Sequence, residues 1–438
     1  MTPPPTLPQP PAPGPVLVGF SGGLDSTVLL HLLAADVEVR DRGLRAVHVH
    51  HGLAAQADDW AAHCQRRCDA LTVPLQVARV DVDRDTGLGL EAAARQARYR
   101  AFDQVLGAGE LLALAHHRDD QAETFLLRAL RGSGVDGLRA MPAWRPLGRG
   151  WLWRPLLEQP RDALLAYARG TGLDWVEDPA NTAGDHDRNH LRLHVMPLLR
   201  QRWPHAGAML ARSAGLAAEA ASLLADGDAA ALAGASTTQP QVLDVARLLR
   251  LPRERRARVL RLWLERLGLP PLPGEGVARI EAGLLGPAGD RTPEFAWAGA
   301  VVRRWRDLLH ASHASPALPP AYQAQWDGCA PLLLPTGDTL ELEGLPAAAA
   351  PPGKPFPLTV RARQGGERIT LPGRSHSHAL RNLLQEMDVP PWVRERLPLL
   401  CAADGSVLAA GDMVLADGFE RHLAGRGLRL RWRCPAAA

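Results

Sequence analysis

Short apolar runs alternate with amphipathic stretches over the first 170 residues of the chain. The runs are rich in leucine and valine, and the amphipathic stretches repeat their apolar positions with a helical period. Predicted strands fall at residues 16–19, 44–52, 74–80, 111–115 and 151–157, and predicted helices at 28–33, 57–71, 91–106 and 161–170. Strands that alternate with helices form a parallel sheet covered on both faces. The pattern therefore predicts a doubly wound α/β domain.

The pattern changes beyond residue 205, and the changes predict further domains. Alanine, leucine and arginine with helical spacing and no strand signal predict an all-α domain at residues 206–315. Residues 316–357 are rich in proline and alanine and are predicted to be a linker with short strands. Residues 358–438 predict a small α+β domain. The proline-rich residues 1–14 are predicted to be disordered, which leaves residues 15–205 as the α/β domain.

The junction between the first strand and the first helix has the sequence Ser-Gly-Gly-Leu-Asp-Ser, at residues 21–26. Because a helix begins here, its free N–H groups and the positive end of its dipole lie at one point. The two glycines let the backbone approach an anion without a Cβ clash, and Ser21, Ser26 and Thr27 add hydroxyl groups. No lysine follows the glycines, so the motif is not a Walker loop. The junction predicts a site for phosphate or pyrophosphate.

Two further segments reach the same edge of the predicted sheet. The second strand ends in the histidine-rich residues 48–51, and the fourth is followed by His117, Asp119 and Asp120 at the start of a helix. The carboxyl ends of parallel strands form a common crevice, so these side chains should lie near the glycine pair. The two carboxylates are candidates to hold Mg²⁺ on bound phosphates. Asp119 has an equally good structural role as a helix cap.

Arginines occur at three places that suit phosphate or nucleic acid. Arg131 begins an Arg-Gly-Ser-Gly turn, Arg188 and Arg192 share one face of a helical stretch, and residues 247–266 carry many arginines with a tryptophan among them. Each place also has a structural interpretation, as a turn, as surface ion pairs or as a solvated helix face. The sequence leaves both interpretations open.

Composition is that of a globular protein and argues against secreted and membrane classes. Hydrophobic residues make up 46% of the chain, charged residues make up 22%, and the net charge is +3. So small a charge neither requires nor excludes a nucleic-acid partner. The five cysteines contain no C-x-x-C pair, which is typical of thiols in a reducing cytosol. Without a signal peptide or a membrane-length apolar run, a cytoplasmic location away from the membrane is expected.

Ordered short motifs continue along the chain beyond the glycine loop. They are H-x-x-H-G-L at 48–53, E-x-x-A-R-x-x-R-Y at 91–99, H-x-D-D-Q-x-E-T from 117, R-P-L-L at 154–157, E-D-x-x-N at 177–181, R-N-x-L-R at 188–192, G-G-E-R at 365–368, L-P-G-R at 371–374, L-L-Q-E at 383–386 and V-P-P-W-x-R-x-R-x-P-L-L at 389–400. The glycine loop alone resembles the PP-loop of the ATP pyrophosphatase superfamily. The ordered set resembles the tRNA(Ile)-lysidine synthetase family over nearly the whole chain from about residue 15.

This resemblance implies an ATP-dependent ligase that modifies the wobble cytidine of an isoleucine tRNA with a CAU anticodon. ATP adenylates the C2 oxygen of the base and releases pyrophosphate. The side-chain amine of free lysine then attacks C2, AMP leaves, and lysidine is formed, which changes codon reading from AUG to AUA. The implied cofactors are ATP and Mg²⁺, and the implied partners are this tRNA, L-lysine and a second copy of the chain in a homodimer. The all-α and carboxyl-terminal domains are implied to bind tRNA.

The resemblance also implies roles for individual residues. The implied ATP-binding residues are Ser21, Gly22, Gly23, Leu24, Asp25 and Ser26. The implied catalytic residues are Asp25, His117, Asp119 and Asp120. Asp25 and Asp120 are expected to hold either Mg²⁺ or the lysine amine. The implied substrate-binding residues are Arg95, Arg131, Arg188 and Arg192.

Three alternatives use other chemistry. A PP-loop tRNA thiolation enzyme needs cysteines at the crevice, whereas Cys64 and Cys68 lie on a predicted helix away from it. An amidotransferase-type synthetase needs a glutamine-hydrolysing domain or partner, and the sequence shows no catalytic-cysteine context. An RNA-binding protein with a relic nucleotide fold has no need of the intact loop or of Asp119 and Asp120. The ligase interpretation is therefore preferred.

Overall fold

A computed structural model gives the architecture of the chain. It describes residues 4–53, 55–83, 89–177, 187–286, 293–344, 358–374 and 376–433. The chain divides into two compact units, Met1–Asp226 and Gly227–Ala438, which are described separately below.

A six-stranded sheet forms the centre of the first unit. Its strands are β1 (Val16–Gly19), β2 (Leu44–His50), β3 (Leu75–Arg79), β4 (Leu111–Ala113), β5 (Trp144–Leu147) and β6 (Gly150–Trp153). The strand order is β3-β2-β1-β4-β6-β5, and all neighbours are parallel except β5 and β6. The five predicted strands and the parallel sheet are confirmed. The pattern does not predict β5, because a proline and an arginine interrupt this short edge strand.

Helices cover both faces of this sheet, as the doubly wound prediction requires. They are α1 (Leu24–Ala35), α2 (Val37–Arg42), α3 (Ala57–Ala70), α4 (Leu90–Val105), α5 (Arg118–Leu130), α6 (Val135–Leu138), α7 (Arg161–Gly170), α8 (Asp187–His190), a π-helical turn (Leu191–Val195), α9 (Met196–Arg202) and α10 (Ala206–Ala235), which runs past residue 226. Val16 and Val18 of β1 face a core shared with α1, whereas Leu17 faces a second core with Phe102 and Leu106 at the end of α4. Among the described residues, no helix is both long and apolar enough to span a membrane.

Residues 4–14 differ from the predicted disordered tail. Leu7 and Ala12 pack against the core of the first unit, and the carbonyl of Thr6 accepts a hydrogen bond of 3.0 Å from Gln159 Nε2. The prolines of this segment restrict the free chain, so less conformational entropy is lost when it is ordered. A few apolar contacts are therefore enough to hold it.

Residues 242–313 of the second unit contain three helices and a sheet. The helices are α11 (Val245–Leu249), α12 (Arg253–Arg266) and α13 (Gly276–Leu284), and the strands are β7 (Val242–Asp244), β8 (Glu294–Trp297), β9 (Ala300–Trp305) and β10 (Leu308–His313). The strands form an antiparallel sheet in the order β7-β10-β9-β8. The helical part of the prediction is confirmed, but an all-α domain at residues 206–315 is wrong.

The short loops between its strands explain why the sequence pattern does not predict this sheet. Ala298 and Gly299 join β8 to β9, and Arg306 begins the turn between β9 and β10. All three residues have positive φ, at 40°, 80° and 55°. Left-handed residues let so short a loop connect two antiparallel strands, and alanine and arginine at such positions give no clear sequence signal for a turn.

Four arginines of α12 pair with two acidic side chains of the same unit. Arg253 and Arg256 bond Glu281 at 3.1 and 2.9 Å, and Arg255 and Arg258 bond Asp228 at 2.6 Å each. The Asp228 side chain is only 4% exposed, so it is held inside the unit by these charges. The structural interpretation of the basic stripe therefore accounts for these four residues.

The rest of the second unit is α+β, as predicted. Its strands are β11 (Gln323–Trp326), β12 (Leu332–Leu333), β13 (Thr339–Glu343), β14 (Leu358–Arg361), β15 (Arg368–Ile369), β16 (His378–Ala379), β17 (Leu399–Cys401), β18 (Val407–Ala410), β19 (Val414–Leu415) and β20 (Arg429–Arg433), and its helices are α14 (Leu380–Glu386), α15 (Pro391–Arg396) and α16 (Asp417–Gly425). Three sheets have the orders β11-β14-β17-β18-β19, β12-β13-β20 and β15-β16. The predicted linker, residues 316–357, contains β11, β12 and β13. Because β11 pairs with β14 and β13 with β20, these strands are part of the carboxyl-terminal sheets.

Trp263→Ala should destabilise the second unit by about 3–5 kcal/mol, the range for truncating a buried aromatic residue. Trp263 is 2% exposed, and its Nε1 donates to the carbonyl of Pro240 at 2.9 Å. Urea unfolding followed by circular dichroism measures the change. Trp203→Ala is the control, because Trp203 is 59% exposed and its loss should change stability by about 0.5 kcal/mol or less. Equal unfolding midpoints for the two variants would contradict the buried position of Trp263.

Candidate active site

The glycine loop is shaped by contacts behind it. Gly22 has φ +83°, in the left-handed region that favours glycine. A Cβ atom at this position would lie 3.0 Å from Cys64 Sγ and 3.1 Å from Val176 Cγ2. The Gly22 carbonyl also accepts a hydrogen bond of 2.9 Å from the Val176 N–H. The loop therefore rests on packed side chains and has its shape without a ligand.

Hydroxyl groups of the loop bond to the loop itself. Ser26 Oγ donates to the Gly23 carbonyl at 3.0 Å, Thr27 Oγ1 donates to the Gly22 carbonyl at 3.3 Å, and the Ser21 and Ser26 oxygens lie 3.0 Å apart. Gly23 precedes α1, and no side chain caps this helix. The first N–H groups of α1 are therefore open to an anion, which fits the predicted phosphate site.

His117 lies between two carboxylates at the start of α5. Its Nε2 is 3.6 Å from Asp25 Oδ2 and 3.5 Å from Asp120 Oδ2, and the residue is only 1% exposed. Burial opposes protonation of His117, but the hydrogen bond that it donates to Asp25 and the charges of Asp120, Asp25 and Asp119 outweigh burial and raise the pKa of the imidazole. The structure thus brings α1 and α5 together around a histidine that favours its charged form.

Two acids of α5 and two arginines form a buried ionic cluster, Asp120, Glu123, Arg188 and Arg192, called here the carboxylate–arginine box. Arg188 donates from Nε to Glu123 and from Nη2 to Asp120, both at 2.9 Å. Arg192 donates from Nε to Glu123 at 2.8 Å and from Nη2 to Asp120 at 3.0 Å. Burial alone would raise the pKa of Asp120, but the charges of His117 and Arg188 and the hydrogen bond from the His117 N–H lower it to about 2. Asp120 is therefore a carboxylate at any physiological pH.

Asp119 lies 3.8 Å from His117 Nδ1 through its Oδ2, but its hydrogen bonds go to residues outside the box. Its Oδ2 accepts a hydrogen bond of 2.9 Å from the N–H of Arg161, the first residue of α7, and its Oδ1 pairs with Arg200 of α9. A carboxylate at a helix N-terminus is favoured by the helix dipole. This geometry favours the structural alternative for Asp119, although the helix it caps is α7 and not its own.

Among the described residues, the contacts of Arg95 and Arg131 lie outside the box. Arg95 is exposed, with its guanidinium 5.2 Å from the centre of the Tyr99 ring. Arg131 is exposed and lies 3.4 Å from the exposed Asp187. The four predicted substrate arginines therefore divide into a half-buried pair, Arg188 and Arg192, and two surface residues.

His116, next to His117 in the chain, is a neutral histidine that bonds to an arginine. Burial lowers the pKa of His116 to about 3, and its Nδ1 accepts a hydrogen bond of 3.2 Å from Arg154 Nε. Arg154, from the R-P-L-L motif, is 4% exposed and also donates to the Pro142 carbonyl at 2.7 Å. The pKa values of these two adjacent histidines are thus shifted in opposite directions. Burial lowers the pKa of His116, with a smaller effect from Arg154, whereas carboxylates raise the pKa of His117.

The histidines of residues 48–51 lie beside the glycine loop, as predicted. His48 Nδ1 is 2.9 Å from the carbonyl of Phe20, the residue immediately before that loop. His50 and His51 line a cleft of about 450 Å³ with Arg79 at the carboxyl ends of β2 and β3. Burial lowers the pKa of His51 to about 4, so it is neutral near pH 7.

Asp25 fits a divalent cation better than Asp120 does. Asp25 Oδ1 is buried and has no hydrogen-bond partner among the described residues. Asp120 Oδ1 accepts from two arginines, and its Oδ2 accepts from the His117 N–H at 3.0 Å. Hard carboxylate oxygens suit Mg²⁺, and Mg²⁺ commonly uses only one or two of them together with substrate phosphates. In the described part of the chain no three acidic, histidine or cysteine side chains are grouped as a metal site.

Three residues of this site were not assigned a role from sequence: Glu123, Arg154 and Arg200. Spacing is the sequence signal that could have identified Glu123. Asp120 and Glu123 are three residues apart and Arg188 and Arg192 are four apart, so each pair shares one face of its helix and the two pairs can meet. No local signal identifies Arg154 or Arg200, because each reaches its partner across the fold.

Comparison with known proteins decides the family. A model described as PP-loop domain matches residues 7–199, one described as TilS substrate binding domain matches 243–310, and one described as TilS substrate C-terminal domain matches 358–432. The tRNA(Ile)-lysidine synthase of Xanthomonas axonopodis pv. citri (strain 306) is 56% identical over 99% of this chain and 97% of its own length. The chain belongs to the tRNA(Ile)-lysidine synthase family. The resemblance found in the sequence motifs is confirmed.

A second synthase relative supports the same family, and a solved structure of another enzyme matches only distantly. The tRNA(Ile)-lysidine synthase of Xylella fastidiosa (strain Temecula1) is 52% identical over 98% of this chain and 97% of its own length. A solved U34-tRNA thiolase, NcsA from Methanococcus maripaludis, is 18% identical, with a TM-score of 0.39 over 47% of this chain and 71% of that chain. The thiolation alternative is not favoured, because the synthase relatives match at high identity over nearly the full length. The PP-loop family implies that the chain is an ATP-using enzyme.

The buried thiols agree with this outcome. Cys64 and Cys68 are fully buried, and burial raises the pKa of each thiol to about 12. The thiolate is the reactive form of cysteine, so these residues are poor sulfur carriers at neutral pH.

The pKa of His117 should lie above 6.5 and should fall in Asp25→Asn, because that change removes a negative partner of the imidazolium. Long-range ¹H–¹⁵N NMR of histidine side chains, with His117→Gln to assign the signal, measures the titration. His116 should stay neutral down to about pH 4 in the same spectra. An His117 pKa below 6.5, or one unchanged in Asp25→Asn, would contradict the described arrangement.

Proposed function

We propose that the protein joins free L-lysine to C2 of the wobble cytidine of isoleucine tRNA with a CAU anticodon, with ATP converted to AMP and pyrophosphate. The carrying observation is the PP-loop beside the Asp25–His117–Asp120 cluster in a chain of this family. A cytidine carbonyl oxygen is a poor leaving group, and adenylation makes it a good one. The site must therefore stabilise a departing pyrophosphate and then hold an amine in line with C2.

The open N-terminus of α1 is proposed to bind the ATP phosphates. Its free N–H groups and dipole stabilise negative charge as it shifts to the leaving pyrophosphate. Ser21, Gly22, Gly23, Leu24 and Ser26 shape this cradle. Mg²⁺, when bound, supplies positive charge that offsets the phosphates, and Asp25 is the residue whose free Oδ1 would hold it.

His117 and the carboxylate–arginine box are proposed to serve the second step. His117 is proposed to contact the α-phosphate, because its protonated ring is positively charged. In the described cluster it lies between Asp25 and Asp120. Asp25, with a partly exposed carboxylate, attracts the lysine ammonium group. The ammonium group first loses a proton to solvent, the free amine nitrogen then bonds to C2, and the bond from C2 to the oxygen carried by AMP breaks. AMP leaves with the electron pair of that bond, and the second proton of the nitrogen also passes to solvent. Arg188 and Arg192 hold Asp120 and Glu123 in place.

The matched domains of the second unit are proposed to bind the tRNA. Contacts with phosphate and 2′-OH groups dominate RNA recognition by shape, so binding should weaken steeply with salt. Arg95 and Arg131, which are exposed, are proposed to contact the same RNA from the first unit. A homodimer and a cytoplasmic location are further proposals that rest on the family resemblance alone.

Asp25→Asn should lower adenylation about 10²–10³-fold, because a group that organises charge at the phosphates is lost. ATP–pyrophosphate exchange in the presence of the tRNA measures this step. Asp36→Asn is the matched control, since Asp36 caps α2 with a hydrogen bond of 3.2 Å to the Val39 N–H and asparagine caps equally well. Equal exchange rates for Asp25→Asn and the control would show that Asp25 takes no part.

Glu123→Gln should raise the KM for lysine and lower kcat, because Arg192 loses its bidentate carboxylate partner and Asp120 loses its fixed position. We expect about a tenfold fall in kcat/KM for lysine, the factor of roughly 1.4 kcal/mol. Arg42→Lys, which changes an arginine paired with the exposed Glu38, is the control. An unchanged KM and kcat for lysine in Glu123→Gln would show that the carboxylate–arginine box does not contribute to the reaction with lysine.

Incorporation of labelled lysine into RNA tests the proposal as a whole. Unmodified isoleucine tRNA with a CAU anticodon should accept label in the presence of ATP and Mg²⁺, whereas methionine tRNA with the same anticodon should not. Absence of label in both RNAs, despite ATP binding, would contradict the proposed reaction. Label in both would contradict the proposed specificity.

A further inference from the structure

The carboxyl-terminal motif V-P-P-W-x-R contacts the hairpin of β9 and β10 in the second unit. Trp392 and Arg394 of this motif belong to α15, whereas the hairpin belongs to the matched substrate binding domain. The guanidinium of Arg303, on β9, lies 5.3 Å from the centre of the Trp392 ring. The ring of His310, on β10, meets the same tryptophan edge-on at 5.2 Å. A motif that the proposed chemistry does not use therefore has a structural partner.

The contact is reciprocal. Trp305, at the end of β9, has the guanidinium of Arg394 from the motif 5.8 Å from its ring centre. Each domain thus supplies one tryptophan and one arginine to the other. Stacking of a guanidinium on an indole is the strongest of the cation–π contacts in proteins, and it strengthens when the pair is shielded from water. We call these four residues, Arg303, Trp305, Trp392 and Arg394, the tryptophan–arginine joint.

An ion pair between two turns lies beside the joint. Arg306, in the turn after β9, pairs with Asp388, in the turn before α15, at 2.5 Å. Both residues have positive φ, at 55° and 56°, a conformation that non-glycine residues hold only when their surroundings fix it. The Arg306 guanidinium also lies 5.8 Å from the Trp305 ring. The ion pair therefore joins two turns that each keep a disfavoured backbone conformation.

The arginines of the joint have protein partners. Arg303 donates to Glu294 at 2.8 Å, and Arg394 donates to the carbonyl of Val389 at 2.6 Å. Trp305 contacts Arg394 through the face of its ring. Its Nε1 is buried and has no hydrogen-bond partner among the described residues. Side chains engaged in this way are poorly placed to bind RNA phosphates.

We propose that the tryptophan–arginine joint fixes the carboxyl-terminal domain on the substrate binding domain, so that the tRNA is held at two points with a set spacing. Trp392 and Trp305 are then positioning residues and do not touch the RNA. This inference rests on the proposed function, because it assumes that both domains bind tRNA. Two linked sites bind more tightly than either alone only when their spacing allows both to engage.

Trp392→Ala should raise the KM for full-length tRNA about tenfold, with kcat and the KM for ATP nearly unchanged, since loss of a set spacing lowers the effective concentration of the second contact. Hydrogen exchange of the full chain should rise in residues 300–313 and 388–394. Trp392→Phe keeps an aromatic face and should recover most of both properties. Trp297→Ala is the matched control, because Trp297 stacks on Phe295 and bonds the Pro270 carbonyl within its own domain.

Each outcome decides the proposal. A raised KM with raised exchange, both recovered by phenylalanine, supports the joint. A raised KM without a change in exchange would mean that Trp392 contacts the RNA directly, which overturns it. Raised exchange with an unchanged KM would overturn its role in tRNA spacing. If the wild-type chain makes no lysidine, the proposed function fails, whereas the exchange data still report whether the joint holds the two domains together.

Discussion

Burial of Asp120 and Glu123 is the constraint on which the rest of the site depends. Two carboxylates on one face of α5 repel each other and are strongly destabilised away from water unless cations meet them. Arg188 and Arg192 meet both acids with five hydrogen bonds. This ties the stretch from α8 to the π-helical turn against α5. Residues four apart lie on the same face of a helix, which lets both arginines reach the pair.

The same cluster arranges charge for the chemistry. Asp120 is fully engaged, so its role is to hold His117 in place and to favour the imidazolium. Asp25, which comes from a different helix, keeps one oxygen that has no hydrogen-bond partner among the described residues. One carboxylate is thus structural and the other available, although the sequence shows them as equals. The distinction comes from the number of hydrogen bonds that each receives and not from residue type.

Local patterns were sufficient for the features that depend on neighbouring residues. The strand–glycine–helix junction, the parallel strands and the histidine ends of β2 each follow from short stretches of sequence. Features that depend on distant partners were not predictable in this way. The role of Asp119 depends on where α7 begins, and the pairing of Arg154 with His116 depends on β6 lying beside β4. The sheet of β7 to β10 escaped because its turns contain alanine and arginine in a conformation usually reserved for glycine.

The packing behind Gly22 has a consequence for the entropy of phosphate binding. The loop is supported by Cys64, by Val176 and by its own serine and threonine bonds, so the fold itself orders its backbone. A backbone that is already ordered has little conformational entropy left to lose when an anion binds, and more of the free energy of the contacts then appears as affinity.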